Sequence, residues 1–94
     1  MEPIRVLQIM GIVNNGGVEA VIMNYYKHID KSKVQFDFVV HRGANPEYLA
    51  TVRSMGATVY EITPYTSNIL KFTYEIYRII KGNNYQIVHS TMNS

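Results

Sequence analysis

Apolar residues along this chain switch repeatedly between two spacings, and each switch marks an element. Residues 4–10, "IRVLQIM", are a short apolar run interrupted only by Arg5 and Gln8. Its length and its glycine boundary predict a strand buried on both faces. The loop "GIVNNGG" follows, and its glycines and asparagines tolerate positive φ, so a tight turn there costs little. From Gly17 the spacing becomes helical: Val18, Val21, Ile22, Tyr25 and Ile29 share one face, with Asn24, Lys27 and His28 off it. Glu19 in the first turn and Lys27 in the last suit the helix dipole. "DKSK" breaks that pattern, and "VQFDFVVH", residues 34–41, alternates and then turns continuously apolar, as a strand does.

The second half repeats the scheme. "PEYLATVRSMG" opens on proline and closes on glycine, the usual asymmetry of a helix. "ATVYEI" reads as a third short strand. "TPYTS" is a turn, with Ser67 or Asn68 as the N-cap of the next helix. In that helix Ile69, Phe72, Ile76 and Ile79 recur at helical spacing, with Lys71, Glu75 and Arg78 on the outer side. "GNN" stops it, and "YQIVHSTMNS" begins as a fourth strand.

The order β-α-β-α-β-α-β implies a parallel sheet with right-handed crossovers and helices on its faces. The expected fold class is α/β: a Rossmann-like, three-layer half-domain with strand order 3-2-1-4. Nothing after the fourth strand supplies a neighbour for its outer edge. Such an edge is a liability that complete domains cover or blunt. The expectation is therefore that residues 1–94 are the front part of a larger domain. In isolation the chain is expected to self-associate through that exposed edge.

Composition narrows the function without naming it. The chain has 94 residues, 47% hydrophobic and 17% charged, which is the make-up of one small globular domain. Nine basic residues against seven acidic give a net charge of +2, and the basic residues are scattered, so a nucleic-acid groove is not indicated. There are no cysteines, which removes disulfides and thiolate metal sites and suits a reducing cytosol. No apolar run approaches the ~20 residues of a membrane helix. The N-terminus "MEPIRVLQIM" lacks a signal peptide's pattern, so a cytoplasmic protein is expected. Eight tyrosines stand beside three phenylalanines. Tyrosine-rich helix faces can lie against a surface or a partner, because the ring is apolar and its tip polar; in so short a chain they serve more often as core edges.

The candidate chemistry lies where strand order reverses, between the first and fourth strands, because ligands of doubly wound sheets sit there beyond the carboxyl ends. "GIVNNGG" leaves the first strand and "HSTMNS" leaves the fourth. A helix beginning at Gly16-Gly17 would point free N–H groups into that crevice, and without Cβ atoms an anion could approach closely. The motif matches neither G-x-G-x-x-G nor the lysine-bearing phosphate loop. From the residues alone, "NNGG" is equally a plain strand-to-helix turn.

"IRVLQIMGIVNNGGVEAVIMNYYKHID", followed by "FDFVVHRG", "MGATVYEI" and "YQIVHSTMNS", resembles the N-terminal domain of family 4 retaining glycosyltransferases (glycosyltransferase group 1) of the bacterial capsular or exopolysaccharide type. The most specific parts are "GGVEAVIMNYY" and "IVHS". The resemblance implies the GT-B architecture, two Rossmann-like domains facing across a cleft, of which this chain supplies part of the acceptor-side domain. It assigns Gly16 and Gly17 to the donor diphosphate and sugar, Asn15 and Glu19 to the loop and acceptor side, and His89 to catalysis. Many relatives read "HSH" where this chain has His89-Ser90-Thr91. The implied partners are a UDP- or GDP-sugar and a glycan or lipid-linked acceptor, with peripheral membrane association of the full-length enzyme and no cofactor. The C-terminal donor-binding domain is absent from these residues, so the chain alone is expected to be inactive.

Each candidate also has an ordinary reading. Glu19 is equally a dipole-stabilising first-turn residue, and His89 could be a hydrogen-bonded core-edge histidine. His41 ends the second strand, farther from the crevice, and is expected to be structural; His28 is expected to be a solvated helix residue. Asn14 and Asn15 fit turn positions. Tyr25 and Tyr26 read as core and edge packing. No two histidines stand at ligand spacing, so no metal site is expected. The alternative to a transferase is a non-catalytic nucleotide- or partner-binding α/β module. Its receiver form is disfavoured, because "MGIVNN" offers no acidic cluster after the first strand.

Overall fold

The computed structural model describes residues 3–11, 17–64 and 67–90. Its elements are β1 (Ile4–Gly11), α1 (Gly17–His28), β2 (Val34–His41), α2 (Pro46–Ser54), β3 (Val59–Ile62), α3 (Ile69–Gly82) and β4 (Ile87–Ser90). The four strands form one parallel sheet in the order β3-β2-β1-β4, as the element pattern implies. The fold is the Rossmann-like α/β half-domain.

Side-chain alternation divides the core between the two faces of the sheet. Val6 and Met10 of β1 and Phe36, Phe38 and Val40 of β2 pack under α1 and α2, against Ile22, Tyr26, Tyr48, Leu49 and Val52. Leu7, Ile9, Val39 and Ile62 face the other way, against Phe72, Ile76, Ile79 and Ile80 of α3. The change of side follows from chirality. From β1 to β3 the chain steps one way across the sheet; from β3 to β4 it steps back, so a right-handed crossover must run over the opposite face.

Local chemistry sets the helix starts. Pro46 opens α2, and Asn45 Oδ1 accepts from the backbone N–H of Glu47 at 2.9 Å and of Tyr48 at 3.3 Å. Asn68, not Ser67, caps α3, accepting from Lys71 N–H at 3.0 Å. After α2 the chain turns through Gly56 at φ 98°, a left-handed conformation that a side chain resists.

Two expected helix faces are corrected. On α1, Val21 and Tyr25 are 68% and 61% exposed, whereas Tyr26 is wholly buried. The buried stripe runs through Ile22 and Tyr26, flanked by Met23 and Ile29. Aromatic packing sets this rotation: the Tyr26 ring stacks on Phe36 at 5.3 Å and meets Phe38 edge-on at 5.8 Å. Gln35 Nε2 donates to the Tyr26 hydroxyl at 2.8 Å, which donates in turn to the Met55 carbonyl at 3.3 Å. On α3, Ile69 is exposed, and Ile80 takes its place in the partly buried stripe that faces the sheet.

Toward the amino ends of the strands, a polar cluster ties distant segments together. The buried Asp37 carboxylate accepts from Arg5 Nη2 at 2.9 Å, from the Tyr85 hydroxyl at 2.6 Å and from the Thr58 backbone N–H at 2.9 Å. The Arg5 guanidinium lies 4.6 Å from the centre of the Tyr85 ring, and the Tyr60 and Tyr85 hydroxyls are 3.0 Å apart. Burial, followed by the hydrogen bond to Asp37, pushes the Tyr85 pKa far above its usual value, so the phenol remains a donor.

The outer edge of β4 is unpaired among the described residues. Its Ile87 and Val88 are 49% and 43% exposed.

Candidate functional site

Strand order reverses between β1 and β4, so their carboxyl ends flank the crevice where doubly wound sheets take ligands. α1 begins at Gly17, just beyond the carboxyl end of β1. Gly17 is exposed, and a Cβ built there meets no atom within 4 Å. Its φ lies outside the left-handed region that favours glycine. The fold itself therefore does not demand glycine at this position. Gly17 opens a helix whose first-turn N–H groups lack intrahelical acceptors, and it contributes no side chain of its own there. Gly16, Asn15 and Asn14 lie outside the described residues.

His89 stands opposite Gln8 in the parallel pairing of β1 and β4. Its Nδ1 is 2.8 Å from Gln8 Oε1. An amide oxygen only accepts, so in this arrangement Nδ1 carries a proton and donates. Gln8 is buried at 4% exposure, which holds the imidazole from below while its outer edge faces solvent. Gln8 is the residue that sequence reasoning passed over, having counted it as an interruption of an apolar run. A polar side chain in the middle of a buried strand was the available signal, since such a group needs a partner.

Beside this pair lies a shallow hollow of about 270 Å³, lined by Gln8, Val21, Ile22, Tyr25, Phe36 and His89. The exposed α1 residues Val21 and Tyr25 form its rim, so the structure brings His89 together with the outer flank of α1. Glu19 is not among the lining residues. Its backbone carbonyl accepts from the Tyr48 hydroxyl at 2.8 Å, which ties the first turn of α1 to α2. Burial raises the Tyr48 pKa well above the usual value and keeps that donor protonated.

The other histidines lie apart from this hollow. His28 is exposed on α1, with Nδ1 2.8 Å from the Asn24 carbonyl. His41 is buried at the end of β2, on the α3 side of the sheet, edge-on to Phe72 with ring centres 5.8 Å apart. Its solvent-excluded position lowers its pKa below 6.5.

The hollow thus joins the His89 imidazole, held by Gln8, to an apolar shelf of α1 and β2. Over 88 residues the chain is 36% identical to the Bacillus subtilis (strain 168) protein named "Putative glycosyltransferase EpsF". The match takes in 92% of this chain and 23% of that protein, so the chain spans about a quarter of its relative's length. No family model and no solved structure matches the chain.

Proposed function

We propose that this chain is the acceptor-side, N-terminal part of a retaining family 4 glycosyltransferase of GT-B architecture. The whole enzyme moves a sugar from a UDP- or GDP-sugar to a growing saccharide or lipid-linked acceptor in polysaccharide biosynthesis. It works in the cytoplasm, peripheral to the inner face of the membrane. The similarity to the Bacillus glycosyltransferase carries this reading. The α/β half-domain and the open start of α1 agree with it.

In this reading Gly16 and Gly17 let the donor diphosphate approach backbone amides, while Asn15 and Glu19 border the loop. His89, held through Nδ1 by Gln8, offers Nε2 as an acceptor to a sugar hydroxyl. Transfer breaks the bond between the anomeric carbon and the leaving diphosphate, which departs with the electron pair, forms a bond to the acceptor oxygen, and passes the acceptor hydroxyl's proton to the departing diphosphate oxygen. Backbone amides alone stabilise that departing charge poorly; opposing cations in a second lobe must complete the site. The 94 residues by themselves are therefore inactive.

A graft tests this. Residues 1–94 replace the matching segment of the Bacillus relative, and sugar transfer is assayed from a panel of UDP- and GDP-sugars. The expected result is transfer by the graft, loss of transfer in the graft carrying His89→Ala, and none by the 94-residue chain. A folded graft in which His89→Ala changes nothing would refute the assigned role of His89.

A further inference from the structure

On α3, the side turned away from the sheet is unusual. Opposite the partly buried, core-facing stripe of Phe72, Ile76, Ile79 and Ile80 stand Leu70 at 80% exposure, Tyr74 at 58% and Tyr77 at 55%. Three cations, Lys71, Arg78 and Lys81, are exposed on the same helix. The Arg78 guanidinium lies 5.8 Å from the Tyr74 ring centre, and its Nη1 donates to the Tyr74 hydroxyl at 3.1 Å. Lys81 Nζ lies 5.5 Å from the Tyr77 ring centre. The one acid of the helix, Glu75, sits toward the sheet, partly buried and 3.4 Å from the Thr63 backbone N–H.

We propose that this outward ridge of α3 is a docking surface for an anionic membrane. A large apolar side chain exposed to this degree gains by leaving water. Tyrosine suits the boundary between headgroups and acyl chains, with its ring in the apolar layer and its hydroxyl in the wet one. Long cationic side chains beside the rings place their charges at headgroup level, where anionic lipid attracts them. Helices that lie in the interfacial plane carry this combination of apolar and basic residues. No helix among the described residues is long and apolar enough to cross a membrane, so the contact is with one leaflet. The ridge lies opposite the core-facing stripe of α3. The inference rests on the membrane-side placement proposed above and names the surface responsible.

Vesicle flotation of the 94-residue chain is the test, since floated protein is separated from aggregate. The probes are vesicles of equal parts phosphatidylcholine and phosphatidylglycerol, and vesicles of phosphatidylcholine alone. The chain is expected to float with the anionic vesicles, and added salt should release it. Each cation near an anionic surface is worth roughly fivefold in affinity, so R78Q/K81Q should weaken binding about 25-fold. L70S/Y77S should weaken it by roughly tenfold through lost apolar insertion. All four positions are exposed, and circular dichroism should show both variants folded. Failure to float, equal binding to neutral vesicles, or undiminished binding by folded R78Q/K81Q would each overturn the inference. A grafted enzyme that transfers sugar to a soluble acceptor while its N-terminal chain ignores vesicles would refute this surface and leave the proposed function standing.

Discussion

Replacing Asp37 by alanine should be among the costliest single changes to this fold. The carboxylate draws Arg5 of β1, Thr58 before β3 and Tyr85 before β4 onto one point of β2. Breaking a fully buried ion pair from one side costs about 3–5 kcal/mol, because the stranded charge stays out of water. Here the stranded partner is not fully buried: the Arg5 side chain is 34% exposed, against 4% for Asp37. Its guanidinium can rehydrate, and Tyr85 keeps Tyr60 as a partner. The penalty then reduces to lost charge-assisted hydrogen bonds, partly offset by no longer burying a carboxylate, and about 2–3 kcal/mol is expected. For a domain of this size that lowers the melting temperature by roughly 10–20 °C. Asp37→Asn, which keeps an oxygen for Thr58 N–H, should lose about half as much. Urea unfolding followed by circular dichroism reads both values, with the slope m unchanged. A loss below about 0.5 kcal/mol in Asp37→Ala would place the cluster with ordinary surface pairs and refute the reasoning.

Further expectations concern the core, the histidines and the loop. Tyr26→Phe keeps the stack on Phe36 but leaves Gln35 and the Met55 carbonyl short of a partner; urea melts should show a loss of about 1 kcal/mol, and Tyr26→Ala about 3–5 kcal/mol. Burial lowers the His41 pKa below the unfolded value of 6.5. The unfolded chain then takes up a proton that the folded one resists, so this contribution is complete above that value and is lost as pH falls through it. Melts at pH about 7.5 and about 5.5 should differ, and His41→Leu should reduce the difference. Gly17→Ala meets open space and ordinary φ, so its unfolding stability should stay within about 1 kcal/mol of the parent or rise, while donor binding weakens. A collapse of stability in Gly17→Ala would make the glycine structural.

Much of this fold can be read without coordinates. The elements, their order, the proline start of α2 and the Asn68 cap, one of two candidates, follow from period and punctuation, which are local properties. What escapes is the rotation of an element about its own axis. Apolar residues cover much of α1, so periodicity admits Val21-Tyr25 as readily as Ile22-Tyr26. Phe36 and Phe38, brought up by β2, decide between them. Asp37 escapes for a related reason. In "VQFDFVVH" it occupies the polar beat of an alternating strand, yet both faces of this sheet are covered. Its partners stand 21 to 48 residues away in the chain. At the candidate site, topology placed His89 on the strand that pairs with β1. The Gln8–His89 contact spans 81 residues and depends on the register of β1 and β4, which no local pattern encodes.

The central claim is that the open start of α1 and the imidazole of His89 border one site for a phosphorylated sugar. The most direct measurement is a titration of the ¹⁵N-labelled chain with UDP- and GDP-sugars, followed by amide chemical shifts. The account predicts weak, saturable binding, on the order of millimolar because the opposing cations are missing. The largest shifts should fall at Gly17 and its first-turn neighbours and at His89, and be reduced in Gly17→Ala. Shifts confined to the amino ends of the strands, or none at concentrations where free pyrophosphate also fails to bind, would contradict it.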